Sequence, residues 1–260
     1  MVFSARTETY VNVSSLSSPY NFVLNKPSGT VDGDILFTFI CVYKTTVPVL
    51  DAVPSGWNLI ASRSVSTNYH FFLYWKLASS EPASYTWSWT TTVKMRAVCS
   101  CYTSGDFDPA NPINVYSDTQ YITANTILRA ASMTVSKANS PLVFFGGVYH
   151  TSSRTFTKPS VPTTDWVEDD DAGHTTPDWW TDINSMIWSG SGATDNMDAT
   201  ISASDAHKHA FAIALNPTLG PTPGFNKLKY VTEPPSSGWN QLKYAVEPPV
   251  SAAWNKLEYG

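Results

Sequence analysis

The chain has 260 residues, 42% of them hydrophobic and only 14% charged, with a formal net charge of −5. That is room for one large β-domain, or one domain with an appendage, and enough apolar material for a core. No Lys/Arg cluster exists to displace phosphate counterions, which excludes a nucleic-acid partner, and no apolar run approaches the roughly 18 residues that cross a bilayer, which excludes membrane insertion through a helix.

The N-terminal segment MVFSARTETYVNV has neither a basic n-region nor an apolar h-region, so no secretory signal is expected. Short runs of β-branched and aromatic residues, bounded by Gly, Pro, Asn and Ser, then predict strands at about 34–43, 57–65, 69–77, 84–89, 94–102, 141–150, 185–189, 197–203 and 207–215. Weaker candidates lie near 9–13, 20–24 and 131–136. No stretch of ten or more residues has helical periodicity. The run TANTILRAASMTV reads as a loop leading into a strand. The three cysteines, Cys41, Cys99 and Cys101, sit in apolar runs and read as small buried hydrophobes of a protein made in a reducing compartment. A Cys41 pairing with Cys99 or Cys101 stays open if their strands are neighbours.

The chain repeats itself. Segment 33–43 matches 140–150, 54–61 matches 162–169, 70–89 matches 184–204, and 94–102 matches 207–215, with offsets of 107 at the first strand, 109 at the Trp and 113 at the last strand. One half alone would leave an apolar sheet face in water. The expected fold is therefore all-β: an antiparallel, jelly-roll-like β-sandwich from two similar halves over residues 1–217. An extended C-terminal repeat tail over 218–260 follows a Pro-rich linker. The tail unit is aromatic-Asn-x-Leu-x-Tyr-x-x-Glu-Pro-Pro, with Asn226, Asn240 and Asn255 in register. Strands this short need something to dock on. The docking residues are expected to be Phe225, Leu228, Tyr230, Trp239, Leu242, Tyr244, Trp254, Leu257 and Tyr259.

Candidate sites are few. Glu168–Asp171, near His174 and Asp178, reads as a solvated acidic loop rather than a Ca²⁺ site, because its spacing is not that of a calcium loop. His207 and His209 share one strand face but lack an evident third ligand, and read as exposed strand histidines. No metal and no cofactor are expected. Trp179 and Trp180, adjacent in the polar segment DWWTD, form with Trp188 the candidate surface for a glycan or protein partner. Trp87 and Trp89 alternate with Thr86 and Ser88 and suit the core. No G-x-S-x-G, H-E-x-x-H, phosphate loop or C-x-x-C occurs, so no catalytic residue is assigned and the chain reads as a non-enzyme.

The segments GDILFTFI, VPSGWNLIA, FLYWKLASSEPASYTW and ISASDAHKHAFAIALNP resemble a β-domain of tailed-bacteriophage virion proteins. Pro54, Gly56, Trp57, Tyr74, Trp75, Lys76, Glu81, Pro82, Tyr85 and Thr86 match its motif, which the second half keeps only in part: it lacks the Gly before Trp166 and the Tyr-Trp-Lys triplet. The likeness covers about residues 30–217, and the tail resembles W-N-x-L-x-Y-x-x-E-P-P arrays that end phage structural proteins. It implies a virion component assembled in the host cytoplasm, either a tail-fibre or receptor-binding protein or a capsid decoration protein. Its partners would be other virion proteins, further copies of itself and a host surface glycan. A carbohydrate-binding module is the rival reading.

Overall fold

A computed structural model describes residues 3, 5, 7–121, 123–174 and 178–218, with the side chains of 120, 121 and 170–174 set aside. The chain divides into two units, Met1–Thr218 and Leu219–Gly260, and the first is described below.

The first half carries β1 (Glu8–Val13), β2 (Asn21–Asn25), β3 (Ile35–Tyr43), β4 (Leu50–Ala52), β5 (Asn58–Ser64), β6 (Tyr69–Leu77), β7 (Ser84–Trp89) and β8 (Lys94–Tyr102). A 3₁₀ turn at Ser104–Asp106 leads to the second half. That half carries β9 (Ile113–Tyr121), β10 (Asn125–Ala130), β11 (Thr134–Val135), β12 (Ser140–Tyr149), β13 (Phe156–Thr157), β14 (Val167–His174), β15 (Trp179–Trp188), β16 (Gly192–Ala193), β17 (Met197–Asp205) and β18 (Lys208–Leu215).

The sheet orders show the repeat directly. The first half forms a five-stranded sheet, β1-β8-β3-β6-β5, and a three-stranded sheet, β2-β7-β4. The second forms β9-β18-β12-β15-β14 and β10-β17-β13, with the small β11-β16 pair added. All the strand pairings are antiparallel. The interleaving of early and late strands, β1-β8-β3-β6 against β2-β7-β4, is jelly-roll order. Each half is thus a two-layered sandwich in itself. This refines the expectation of one sheet per half.

Period-two alternation divides the core into three clusters. Leu36, Ile40 and Val42 of β3 face the first half's small sheet, packing with Trp57, Trp87, Trp89, Cys99 and Cys101. Leu142, Phe144 and Val148 of β12 do the same in the second half, against Trp166, Met186, Met197 and Ala199. The opposite faces meet each other: Phe37, Phe39, Cys41, Phe71 and Val98 pack on Val143, Phe145, Trp179, Ile183 and Phe211. The two large sheets are therefore buried on both sides, which explains the near-continuous apolar runs of β3, β8, β12 and β18.

Register fixes how the halves correspond. Phe39 lies opposite Val98 as Phe145 lies opposite Phe211, so β3 maps on β12 with Phe39 equivalent to Phe145 and Tyr43 to Tyr149. The offset of 107 read from the sequence is one residue off. An odd slip exchanges the two faces of a strand, and both faces here are apolar, so the sequence did not penalise it. On β6 and β15, Tyr69 corresponds to Trp179, a slip of four from the sequence alignment. Trp57 and Trp166, and Val98 and Phe211, correspond as expected. The inter-sheet packing is pseudo-symmetric too. Tyr43 stacks on Tyr149 at 5.2 Å, and Tyr69 meets Trp179 edge-on at 6.3 Å. Gly147 permits the close approach at this seam, because a Cβ there would lie 2.7 Å from Cys41 Sγ and 3.0 Å from Phe39.

Other expectations are corrected. The run read as a loop near 125–130 is strand β10, and the whole of β9 was missed. The acidic run is not a loop: it lies on edge strand β14, with a bulge between Glu168 and Asp170. Asp169 accepts hydrogen bonds from the Ala5 amide at 3.0 Å and the Tyr102 hydroxyl at 2.9 Å. All three cysteines are buried thiols, and Cys101 Sγ donates to Asp34 Oδ2 at 3.5 Å. Although β3 and β8 are neighbours, Cys41 faces the seam between the halves while Cys99 and Cys101 face the small sheet, which closes the pairing alternative.

Candidate functional site

The motif residues of the first half gather in one place. After β4 the turn Pro54-Ser55-Gly56 places Trp57 beneath it, and Gly56 sits at φ +85°, a conformation that favours glycine. A Cβ there would also lie 3.2 Å from Lys76 Nζ. Lys76 comes from the end of β6, on the face that points toward the small sheet. The β6–β7 connection carries Glu81 and Pro82, and β7 carries Ser84, Tyr85 and Thr86.

These elements converge on an ion pair. Lys76 Nζ is 2.8 Å from Glu81 Oε2, with side-chain exposures of 11% and 2%. The ammonium also donates to Ser55 O at 3.3 Å and lies over the Trp57 and Tyr85 rings, 6.0 and 5.5 Å from their centroids. Glu81 accepts from the Ser79 amide at 2.9 Å and from the Tyr85 hydroxyl at 2.8 Å. Burial pushes the Glu81 carboxyl up, but the hydrogen bonds from Lys76, the Ser79 amide and Tyr85 outweigh it and leave the group below its usual range. The Tyr85 hydroxyl is pushed up by burial and by its bond to Glu81. Above this cluster lies a groove of about 320 Å³, lined by Pro54, Ser55, Lys76, Ser79, Glu81, Pro82, Ser84, Tyr85 and Thr86.

The tryptophans singled out from sequence lie elsewhere. Trp179 and Trp180 are not in a loop but begin β15. Trp179 is 0% exposed and packs between the large sheets against Phe71 and Tyr149, so its ring is not available for stacking on a ligand. Trp180 is half-buried, and its indole N–H donates to His150 O at 3.2 Å. Trp188 is buried in the second half's core. The three do not form one surface: Trp179 faces the seam, whereas Trp180 and Trp188 face the second half's own core. Trp87 and Trp89 are core residues, as expected.

The histidines differ from the exposed pair expected. His207, just before β18, keeps an exposed side chain and lies against Tyr69, with ring centroids 4.1 Å apart and tilted by 32°. His209 is buried at 1% exposure between Phe71 and Phe211. Neither of its ring nitrogens has a hydrogen-bond partner among the described residues. Burial, with the Arg63 guanidinium nearby, lowers its pKa to about 3, so the ring is neutral. Among the described residues, no three His, Cys, Asp or Glu gather where they could hold a metal ion. The tail residues Phe225, Leu228, Tyr230, Trp239, Leu242, Tyr244, Trp254, Leu257 and Tyr259 lie outside the described residues.

In the sequence, Lys76, Glu81 and Tyr85 stand out only as motif positions. Their spacing, a strand end, a tight connection and a strand start, was the signal that they meet. Comparison with protein-family models, with curated proteins and with solved structures finds no match.

Proposed function

We propose that this protein is a structural component of a tailed-bacteriophage virion, either a tail-fibre or receptor-binding protein or a capsid decoration protein. It would act through contacts with other virion proteins and with copies of itself. The motif resemblance supports the reading, and the observation that carries it is the junction at the end of the body. Asn216 Nδ2 donates to Asn111 O at 2.7 Å, Asn216 Oδ1 accepts from Asn114 at 2.8 Å, and the Asn216 amide donates to Pro112 O at 2.8 Å. Pro217 bridges to Phe107. A doubly buried β body thus hands the chain, from a fixed point, to residues 219–260 with their three aromatic-Asn-x-Leu-x-Tyr units. Repeat units of this length and composition suit docking on a partner by strand addition.

Quantitative mass spectrometry of particles purified from the phage that encodes this sequence tests the proposal. The chain should be present at a fixed copy number. Deleting 219–260 should remove it from particles while the body keeps its melting temperature. Finding the full chain only in the soluble lysate overturns the proposal, and unfolding of the truncated body overturns the division at 218–219.

A further inference from the structure

We infer that the groove over Lys76 and Glu81 is a binding site for a neutral saccharide, present in the first half alone. The duplication supplies an internal control. By register, Lys76 stands opposite Leu36 as Met186 stands opposite Leu142. Tyr85 stands opposite Leu24 as Met197 stands opposite Ala130. Both methionines are buried with Trp166, the equivalent of Trp57. The same corner of the same fold therefore closes with apolar side chains. A buried ion pair is rarely more stable than a well-packed apolar replacement, so the charged solution in the first half is not what the fold requires. Gly56, which makes room for Lys76, is likewise replaced by Asp165.

The lining selects the ligand. Glu81 cancels the charge of Lys76, so the floor favours neither an anion nor a cation. The Lys76 ammonium has three N–H donors, of which Glu81 and Ser55 O take two. Ser55, Ser79, Ser84 and Thr86 add hydroxyls that both donate and accept, matching the hydroxyls of a sugar. Pro54 and Pro82 offer apolar surface to its C–H face. A nucleobase finds no stacking platform, because Trp57 and Tyr85 are buried. The volume of about 320 Å³ is at the lower end of small-molecule sites and fits one or two sugar units.

Saturation-transfer NMR on the full chain tests this, with glucose, galactose, mannose and N-acetylglucosamine as neutral probes and glucuronic and sialic acids as anionic ones. At least one neutral sugar should show transfer. Lys76→Met/Glu81→Gln, whose first change copies Met186 and whose second removes the charge left behind, should weaken its affinity by about tenfold or more without unfolding the chain. Thr86→Trp, which fills the groove from its exposed rim and keeps the ion pair, should do the same and decides the matter if the double variant fails to fold. No transfer from any neutral sugar, stronger binding of the acids, or binding unchanged by Thr86→Trp overturns the inference. The virion proposal stands or falls separately, on particle content.

Discussion

His209 shows what one residue of the seam costs. Its equivalent in the first half is Arg96, which is also buried but is held by Thr181 Oγ1 at 2.8 Å and Asn12 Oδ1 at 3.1 Å. The position equivalent to Thr181 is Phe71, and His209 lies against it. One side of the pseudo-dyad is thus polar and the other aromatic. With a folded pKa of about 3 against an ordinary value of 6.5, the unfolded chain binds the His209 proton more tightly than the folded one. The contribution to stability is complete above pH 6.5 and is lost as pH falls toward 3, by about 1.4 kcal/mol per pH unit. Urea unfolding at pH 7 and pH 5 should show this loss, and His209→Phe should reduce the slope by that amount. An unchanged slope would mean that the imidazole is solvated. Carboxylates such as Glu81, whose folded pKa is lowered, act in the same direction at lower pH, so the difference between the two proteins is the diagnostic quantity.

Among the elements, β12 is packed closely on both faces. Gly146 and Gly147 expose its backbone on both faces, so that Leu128 approaches from one side and Cys41 and Phe39 from the other. Gly147→Ala should destabilise the body by roughly 1–3 kcal/mol through overpacking, read as a lower denaturation midpoint with an unchanged slope. The wider legibility of the elements follows the same physics. Strands buried on both faces, such as β3, β6, β8 and β12, stood out because their runs are apolar throughout. Strand β9, with Asn114, Ser117, Asp118 and Thr119, and strand β14, with its four acids, lie at sheet edges, where polar side chains are tolerated and the apolar signal fades. Trp179 was misplaced because its neighbours Asp178 and Asp182 suggested a turn. Burial of the indole between two sheets is a tertiary fact that local composition does not carry. The groove was readable only as a motif, since the contact between Lys76 and Glu81 depends on how the β6–β7 connection folds back over the Gly56 turn.

For the whole molecule, the seam between the large sheets joins the halves. Its aromatic and aliphatic side chains each contribute roughly 1.5–3 kcal/mol on full burial, and its margins carry polar ties, Arg63 to Asp118 on one side and Asp169 to Tyr102 on the other. Expressed separately, residues 1–109 and 110–218 should each expose this face and aggregate, whereas co-expression should yield a soluble one-to-one complex by size-exclusion chromatography. Soluble monomeric halves would show that the seam is dispensable. The interleaved strand order also bears on synthesis. In each half the first strand pairs with the last, β1 with β8 and β9 with β18, so neither half closes until its final strand has left the ribosome, and such non-local pairing is slow. Phe3 and Ala5 wait longer still. Phe3 stacks on Tyr102 at 4.8 Å and its carbonyl accepts from Ser185 Oγ at 3.1 Å, while Ala5 donates to Asp169. Phe3 and Ala5 are thus made well before their partners, and lock the two halves together only after most of the body has been translated.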